Sequence, residues 1–237
     1  MMLPAWIIDF FQPQGVKCLR CCMAYFDELN AGLCPMCALH VSRMEPGDLR
    51  HELEHGRGEL DWAAAAFRYG DGVRQRVLAL KFSGARRLGE DMGRDMLEAF
   101  NALPVSPDAL VPVPLHWRRK ISRGYNQAEV LSRALGEAGG AAVDTSALVR
   151  RRYTRRNARL GHDARLSNVA GAFAAAEDVR GKRLLLIDDV LTTGATASQC
   201  AHALKAGGAA WVGMLTYARA GGRGEDRETA GQADFEV

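Results

Sequence analysis

The apolar residues of this chain fall into short blocks, and the spacing within each block predicts the element that it forms. Four blocks have the length and apolar content of strands, at 62–69, 109–115, 184–190 and 211–217. Helical spacing of apolar positions fills the segments between them, at 72–82, 88–103 and 126–135 and after residue 191. Strands and helices that alternate in this way predict an α/β domain built on a doubly wound parallel sheet.

The pattern divides the chain into three parts. Residues 1–60 hold a cysteine cluster and then a polar, irregular connector. Residues 61–219 hold all the predicted strands and helices, and we expect them to form the main domain. Residues 220–237 lack a core-forming pattern, so we expect them to be disordered. Inside the main domain, 149–168 is arginine-rich with little periodicity, which predicts a long loop.

The amino-acid composition is that of an ordinary globular protein, and the sequence argues against a membrane protein and a secreted protein. The 237 residues are 48% hydrophobic and 25% charged, with a mean hydropathy of −0.16. No apolar run approaches the roughly 20 residues of a membrane helix. The start, MMLPAWIIDFFQPQG, has no basic leader region and no small-residue cleavage site. We therefore expect no signal peptide and no membrane span, and a cytoplasmic location.

Positive charge is concentrated in the middle of the chain. The net charge is only +3, but residues 111–165 hold twelve lysines and arginines against four acids. A basic segment of this kind favours an anionic partner, either a phosphorylated small molecule or a nucleic acid. Composition leaves both open.

The segment LLLIDDVLTTGATAS, residues 184–198, carries the clearest chemistry. Four apolar residues lead into Asp188 and Asp189 at the end of a predicted strand, the edge where open α/β sheets bind ligands. The loop that follows opens a helix, whose first N–H groups form an anion site, and Gly194 lets a phosphate approach the backbone closely. The acids suit sugar hydroxyls or a Mg²⁺ shell. The alternative is a threonine-glycine turn that only caps the helix.

Four segments of the chain resemble the ComF/ComFC competence-protein family, a type I phosphoribosyltransferase-like family. These are LLLIDDVLTTGAT, LKFSGARRLGE at 80–90, VPVPLHWRRKISRGYNQA at 111–128, and the spaced Thr154, Leu160, Arg165 and Asn168 before GAF. With the N-terminal cysteines, the resemblance covers nearly the whole chain. It implies a type I phosphoribosyltransferase-like fold and binding of 5-phosphoribosyl 1-pyrophosphate (PRPP) with Mg²⁺.

The resemblance also implies roles for individual residues. Asp188 and Asp189 would hold the ribose 2′- and 3′-hydroxyls. The 5′-phosphate would lie on the loop made of Thr192, Thr193, Gly194, Ala195 and Thr196. The turn after the 109–115 strand would be the pyrophosphate loop, with Arg118, Arg119 and Lys120 beside the leaving diphosphate. Residues 150–159 match the position of a mobile catalytic hood, and a solvated basic loop is the alternative for them.

Two positions depart from the pattern of such families. The family usually has a glutamine three residues after the threonine at 154, where this chain has Asn157. Purine-salvage relatives have a carboxylate, serving as base or hydrogen-bond acceptor for the purine ring, where this chain has Thr192. This difference argues against a hypoxanthine-guanine type of activity and leaves the acceptor open.

Four cysteines have the spacing of a zinc ribbon. Cys18 and Cys21 are followed after twelve residues by Cys34 and Cys37, in the pattern C-x2-C-x12-C-x2-C. Two such pairs complete a tetrahedral zinc shell with no open position, which predicts a structural ion. Disulfides are the alternative, and a cytoplasmic location disfavours them.

Two functions remain open from the sequence. The first is a Mg²⁺-dependent phosphoribosyltransferase acting on PRPP or another ribose 5-phosphate ligand. The second is a non-catalytic module of the same fold that takes part in DNA uptake during transformation, engaging single-stranded DNA or an uptake helicase. The link to natural transformation rests on the resemblance alone.

Overall fold

The computed structural model describes residues 16–20, 24–25, 32–39, 41–53, 59–82, 86–152 and 171–221. The strands are β1 Val16–Lys17, β2 Ala24–Tyr25, β3 Trp62–Arg68, β4 Ala109–Pro112, β5 Leu148–Arg150, β6 Phe173–Ala175, β7 Arg183–Leu191 and β8 Trp211–Arg219. The helices are α1 Pro35–Ala38, α2 Asp71–Phe82, α3 Arg86–Asp95, α4 Leu97–Asn101, α5 Trp117–Arg123, α6 Gln127–Gly139 and α7 Ala195–Ala206. Short 3₁₀ turns cover Arg50–Glu52 and Glu177–Val179.

Four parallel strands form the central sheet, in the order β3-β8-β7-β4. Alternate residues of a strand point to opposite faces, so β7 and β8 supply two cores. On one face, Leu185 and Ile187 of β7 pack among residues of α2, α3 and α6. On the other face, Leu184 and Leu186 pack against α7. The predicted parallel α/β sheet, covered on both faces, is confirmed.

Two predicted elements have different bounds in the structure. The helix predicted at 88–103 is interrupted at Met96, whose N–H donates to the carbonyl of Gly93 at 3.2 Å in the tighter i→i+3 pattern. The Met96 side chain is fully buried among other elements of the core at this point. The strand predicted at 109–115 ends at Pro112, because Pro114 has no N–H with which to continue the ladder.

The predicted loop at 149–168 begins with a strand instead. Residues Leu148, Val149 and Arg150 pair antiparallel with 173–175. Both strands are three residues long, too short for alternation to be visible in the sequence. Residues 153–170 lie outside the described residues, as does the predicted disordered tail beyond 221.

The cysteine segment, of which the structure describes residues 16–20, 24–25, 32–39 and 41, packs against α2 and α3. Gly72, at the start of α2, approaches it so closely that a Cβ there would lie 3.1 Å from Leu33 Cδ1 and 3.2 Å from Val41 Cγ2. A Cβ on Gly32 would lie 3.4 Å from Leu88 Cδ1 of α3. The cysteine segment therefore rests directly on helices of the main domain. Within the described part of the chain, no helix is long and apolar enough to cross a membrane.

Candidate functional site

The two acids predicted as ligand contacts lie at the carboxyl end of β7, in the middle of the sheet. The Asp188 carboxylate accepts a hydrogen bond from the N–H of Asp189 at 2.8 Å. Asp189 is 8% exposed, and its Oδ1 lies 2.8 Å from the Nζ of Lys81. Lys81 is in the last turn of α2, so the ion pair joins that helix to the edge of the sheet.

Burial, and secondly the negative charge of Asp189, raise the pKa of Asp188 to about 7. The positive charges of Lys81 and Arg150 oppose this shift. Two neighbouring carboxylates, one partly exposed and one buried, therefore share a site with cations from two other elements. Such a site stabilises a ligand that offers hydroxyl donors or positive charge to the acids.

The predicted phosphate loop connects β7 to α7. Gly194 has φ of 86°, in the left-handed region that favours glycine, and α7 begins at the next residue. The N–H of Ala195 donates to Thr193 Oγ1 at 3.5 Å, and the N–H of Ser198 donates to the Gly194 carbonyl at 2.8 Å. Thr192 is exposed, and Thr193 and Thr196 are partly exposed. All five predicted loop residues thus surround the start of α7, beside the two acids.

Arg219, at the end of β8, holds this loop from inside the protein. Its Nη1 lies 3.3 Å from the Leu191 carbonyl oxygen and 2.6 Å from that of Thr192, and it also contacts the Ala220 carbonyl. The side chain is buried. The sequence analysis missed this residue, because an arginine after a predicted strand end resembles the start of a polar tail.

Residues 123–128, the RGYNQA segment, bond to three elements around the site. Asn126 donates from Nδ2 to the Val113 carbonyl at 3.1 Å and accepts from the N–H of Ala128, which caps α6. The hydroxyl of Tyr125 donates to the Leu80 carbonyl at the end of α2. The segment therefore fixes the end of β4, the start of α6 and the end of α2 relative to one another.

The three cations predicted in a turn after β4 lie in a helix. Arg118, Arg119 and Lys120 belong to α5, and the N–H groups of Arg119 and Lys120 bond to the His116 carbonyl at 2.9 and 3.0 Å. The prediction of a turn was wrong because the stretch between Pro114 and Gly124 is long enough for two helical turns and rich in helix-forming residues.

Of the predicted hood, Arg150 can be related to the site. It lies in β5, and its guanidinium is 5.1 Å from the ring centroid of Phe173. Burial and, next, the charge of Arg119 lower the pKa of Arg150, while the carboxylate of Asp188 raises it. Arg119, Arg150 and Asp188 are therefore close enough to interact. Residues 153–159, including Asn157, lie outside the described part of the chain.

Three of the four predicted zinc ligands form a buried cluster. The sulfur atoms of Cys18, Cys34 and Cys37 all lie within 4.8 Å of one another, and none is in a disulfide. The N–H of Cys34 points at Cys18 Sγ, 3.4 Å away. Thiolates bound to one zinc ion at about 2.3 Å lie about 3.8 Å apart, so these residues fit such an ion. Cys21 lies outside the described residues. Cys200 is a buried core residue of α7, and its pKa is raised by burial.

Comparisons with known proteins agree with the parallel α/β fold. Residues 99–232 match the family described as Phosphoribosyl transferase domain. DNA utilization protein YhgH of Salmonella typhi is 34% identical over 149 residues, which cover 60% of this chain and 65% of that protein. Competence protein F of Haemophilus influenzae is 32% identical, with 48% and 51% covered. Competence protein ComFC of Streptococcus pneumoniae is 27% identical, with 84% and 86% covered.

These relatives confirm the resemblance to the ComF/ComFC family that the motifs predict. The chain spans 65%, 50% and 64% of the length of the first three curated relatives. Among solved structures, orotate phosphoribosyltransferase of Mycobacterium tuberculosis H37Rv is 19% identical, with 66% of this chain and 79% of that chain covered and a TM-score of 0.35. Adenine phosphoribosyltransferase of Leishmania tarentolae is 13% identical, with 74% and 80% covered and a TM-score of 0.37.

Proposed function

Since this chain belongs to the phosphoribosyl transferase domain family, we propose that it binds PRPP, or another ribose 5-phosphate, together with Mg²⁺ at the carboxyl end of β7. One observation carries the proposal: two adjacent acids, Asp188 partly exposed and Asp189 buried, end a strand directly before a hydroxyl-rich loop that opens a helix. The acids accept hydrogen bonds from sugar hydroxyls. The helix start binds a phosphate through its N–H groups and dipole.

Each half of the site then binds one part of the ligand. Asp188 and Asp189 hold the ribose 2′- and 3′-hydroxyls. Residues 192–196 hold the 5′-phosphate, with Gly194 allowing close approach of the backbone. We assign Arg118, Arg119 and Lys120 of α5 to the leaving diphosphate. Bound Mg²⁺ would neutralise the charge that develops on this group.

The reaction we propose is transfer of the phosphoribosyl group from PRPP to an acceptor. A segment that closes over the ligand excludes water from such a reaction, and residues 150–159 occupy the place in the chain that suits this role. Thr192 has no carboxylate to pair with a purine ring, so the acceptor is not of the hypoxanthine-guanine kind.

A link to DNA is the second part of the proposal. Relatives carry the names DNA utilization protein and Competence protein, and residues 111–165 have a large excess of positive charge. We infer that the protein acts in the handling of single-stranded DNA during uptake, either on the strand itself or with an uptake helicase. The alternative is a non-catalytic protein of the same fold, which would bind PRPP without turnover and take part in the same DNA uptake.

Zinc completes the proposal. The buried cluster of Cys18, Cys34 and Cys37, with Cys21 as fourth ligand, holds a structural ion. A closed shell of four thiolates has no position for substrate, so the ion stabilises the N-terminal segment and takes no part in transfer.

Thermal unfolding with and without PRPP and Mg²⁺ tests the ligand. At a hundredfold excess over its dissociation constant, a ligand adds about 2.7 kcal/mol to the stability of the folded state. Asp188→Asn/Asp189→Asn should abolish the shift, while Asp178→Asn, which changes an exposed acid paired with Lys182, should leave it intact. No shift for the wild-type protein at millimolar PRPP would exclude the proposed ligand.

Turnover is measured separately, as diphosphate release from PRPP and Mg²⁺ with a panel of nucleobases. Release with one base, absent in the Asp188→Asn/Asp189→Asn variant, would identify an enzyme. Binding of PRPP without diphosphate release for any base would favour the non-catalytic alternative.

The link to DNA is tested by substitutions in the arginine-rich segment 150–159. If it contacts single-stranded DNA, the logarithm of the binding constant should fall with the logarithm of salt by about 0.7 per phosphate contacted. Alanine at 151, 152, 155 and 156 should then flatten that slope and leave PRPP affinity intact. If the segment is instead a catalytic hood, the same variant should lose diphosphate release while DNA binding is unchanged. A variant that alters neither would make the segment a solvated loop.

A further inference from the structure

Lys81, in the segment 80–90, is a cation at the site to which the sequence analysis gives no role. Its Nζ lies 2.8 Å from Asp189 Oδ1, and the two side chains are only 16% and 11% exposed. Two charges lose favourable hydration when they are buried, so a buried ion pair often contributes less stability than a well-packed apolar pair in its place. Stability alone is therefore a poor reason for this ion pair, and a role toward a charged ligand is the better one.

The residues on both sides of Lys81 are fixed by the RGYNQA segment. The hydroxyl of Tyr125 donates to the carbonyl of Leu80, and the guanidinium of Arg123 lies 5.4 Å from the ring centroid of Phe82. The same segment is tied to the end of β4. The ammonium of Lys81 is thus positioned relative to both strands, β4 and β7, that border the site.

Resting on the PRPP-binding function proposed above, we propose that Lys81 binds the diphosphate of PRPP and that Asp189 holds its ammonium in place before the ligand arrives. In PRPP the diphosphate is attached to C1, the ribose carbon next to the one that carries the 2′-hydroxyl. Asp188 and Asp189 together would hold this hydroxyl and the neighbouring 3′-hydroxyl, so a cation that contacts Asp189 lies within reach of the diphosphate. An ammonium has three N–H donors, so it keeps Asp189 while it donates to a phosphate oxygen.

The rival explanation is that Lys81 only neutralises the two acids. The two roles differ in their dependence on the ligand. A lysine that binds the diphosphate matters for PRPP and little for ribose 5-phosphate, which lacks that group. A lysine that only tunes the acids matters equally for both ligands, because both offer the same ribose hydroxyls.

Titration calorimetry with PRPP and with ribose 5-phosphate, each with Mg²⁺, separates these roles. A hydrogen bond to a charged group corresponds to a change in affinity of about 10- to 100-fold. We expect Lys81→Met to weaken PRPP binding by that factor and ribose 5-phosphate binding by less than about threefold, with Lys81→Arg recovering part of the loss. Lys205→Met, which removes a half-exposed lysine paired with Asp61, is the matched control and should bind both ligands like the wild type.

Equal losses for the two ligands, or no loss for PRPP, would overturn the proposal. Lys81→Met leaves a buried carboxylate without its cation, so the same comparison is repeated in Lys81→Met/Asp189→Asn against Asp189→Asn, where the acid that pairs with Lys81 is neutral. The selective loss of PRPP affinity must appear there too. Failure of the wild-type protein to bind either ligand is a different result, since it removes the proposed function itself.

Discussion

Replacing Arg219 by methionine removes the guanidinium that contacts three carbonyl groups around the phosphate loop while keeping a buried side chain of similar length. The carbonyls of Leu191, Thr192 and Ala220 would lose this donor inside the protein. A hydrogen bond from a charged group contributes about 1.5–3 kcal/mol, and the Leu191 carbonyl keeps the N–H of Ala220 as a second donor at 2.8 Å. The three contacts share one nitrogen, so we expect a total loss of about 3 kcal/mol.

Urea and thermal unfolding measure this loss. At about 2–4 °C per kcal/mol for a chain of this size, the melting temperature should fall by about 6–12 °C. The control is Arg133→Met, which breaks an exposed pair with Glu129 on α6 and should cost at most about 0.5 kcal/mol. If Arg219→Met costs no more than the control, the loop carbonyls do not depend on Arg219 and the reasoning is wrong.

Tyr125→Phe removes the hydrogen bond to the carbonyl of Leu80. Urea unfolding should show a loss of about 1 kcal/mol, and an unchanged midpoint would contradict the bracing role. Asp188 has its pKa raised from 3.8 to about 7 in the folded protein, so the folded state holds this proton more tightly and loses stability as the pH rises through that interval. Asp188→Asn cannot ionise and should become more stable relative to the wild type between about pH 4 and pH 8. A pH-independent difference in urea midpoints would refute this. Metal analysis of protein purified without added zinc should give one ion per chain, lost in Cys34→Ser/Cys37→Ser; retention in that variant would disprove the cluster.

Elements whose determinants are local in the chain were predictable from sequence. The unbroken apolar run before Asp188 and the threonine-glycine loop after it identify β7 and the start of α7, because strand burial and helix starts leave local patterns. The helix over 88–103 was predicted too long, since the interruption at Met96 depends on burial against other elements. The local spacing of apolar residues does not indicate this burial.

The contacts that complete the site are long-range. Tyr125 bonds to Leu80, 45 residues earlier, and Arg219 to Leu191, 28 residues earlier. Lys81, at the end of its helix, looks in the sequence like a cation that complements the helix dipole. Only the three-dimensional arrangement brings it to Asp189. Sequence patterns therefore indicate which strand carries the site but not which residues complete it.

A single helix, α2, touches the cysteine segment at one end and the acid pair at the other. Gly72 lies against Leu33 near the buried thiols, and Lys81, one residue from the other end, lies against Asp189. A coupling free energy between two binding sites acts equally in both directions. Any gain in ligand affinity that an ion in the thiol cluster produces through α2 must be returned as an equal gain in ion affinity when the ligand binds. If the proposed ion and the proposed ligand are coupled in this way, the retention of metal by the protein is a measure of whether the proposed PRPP site is filled.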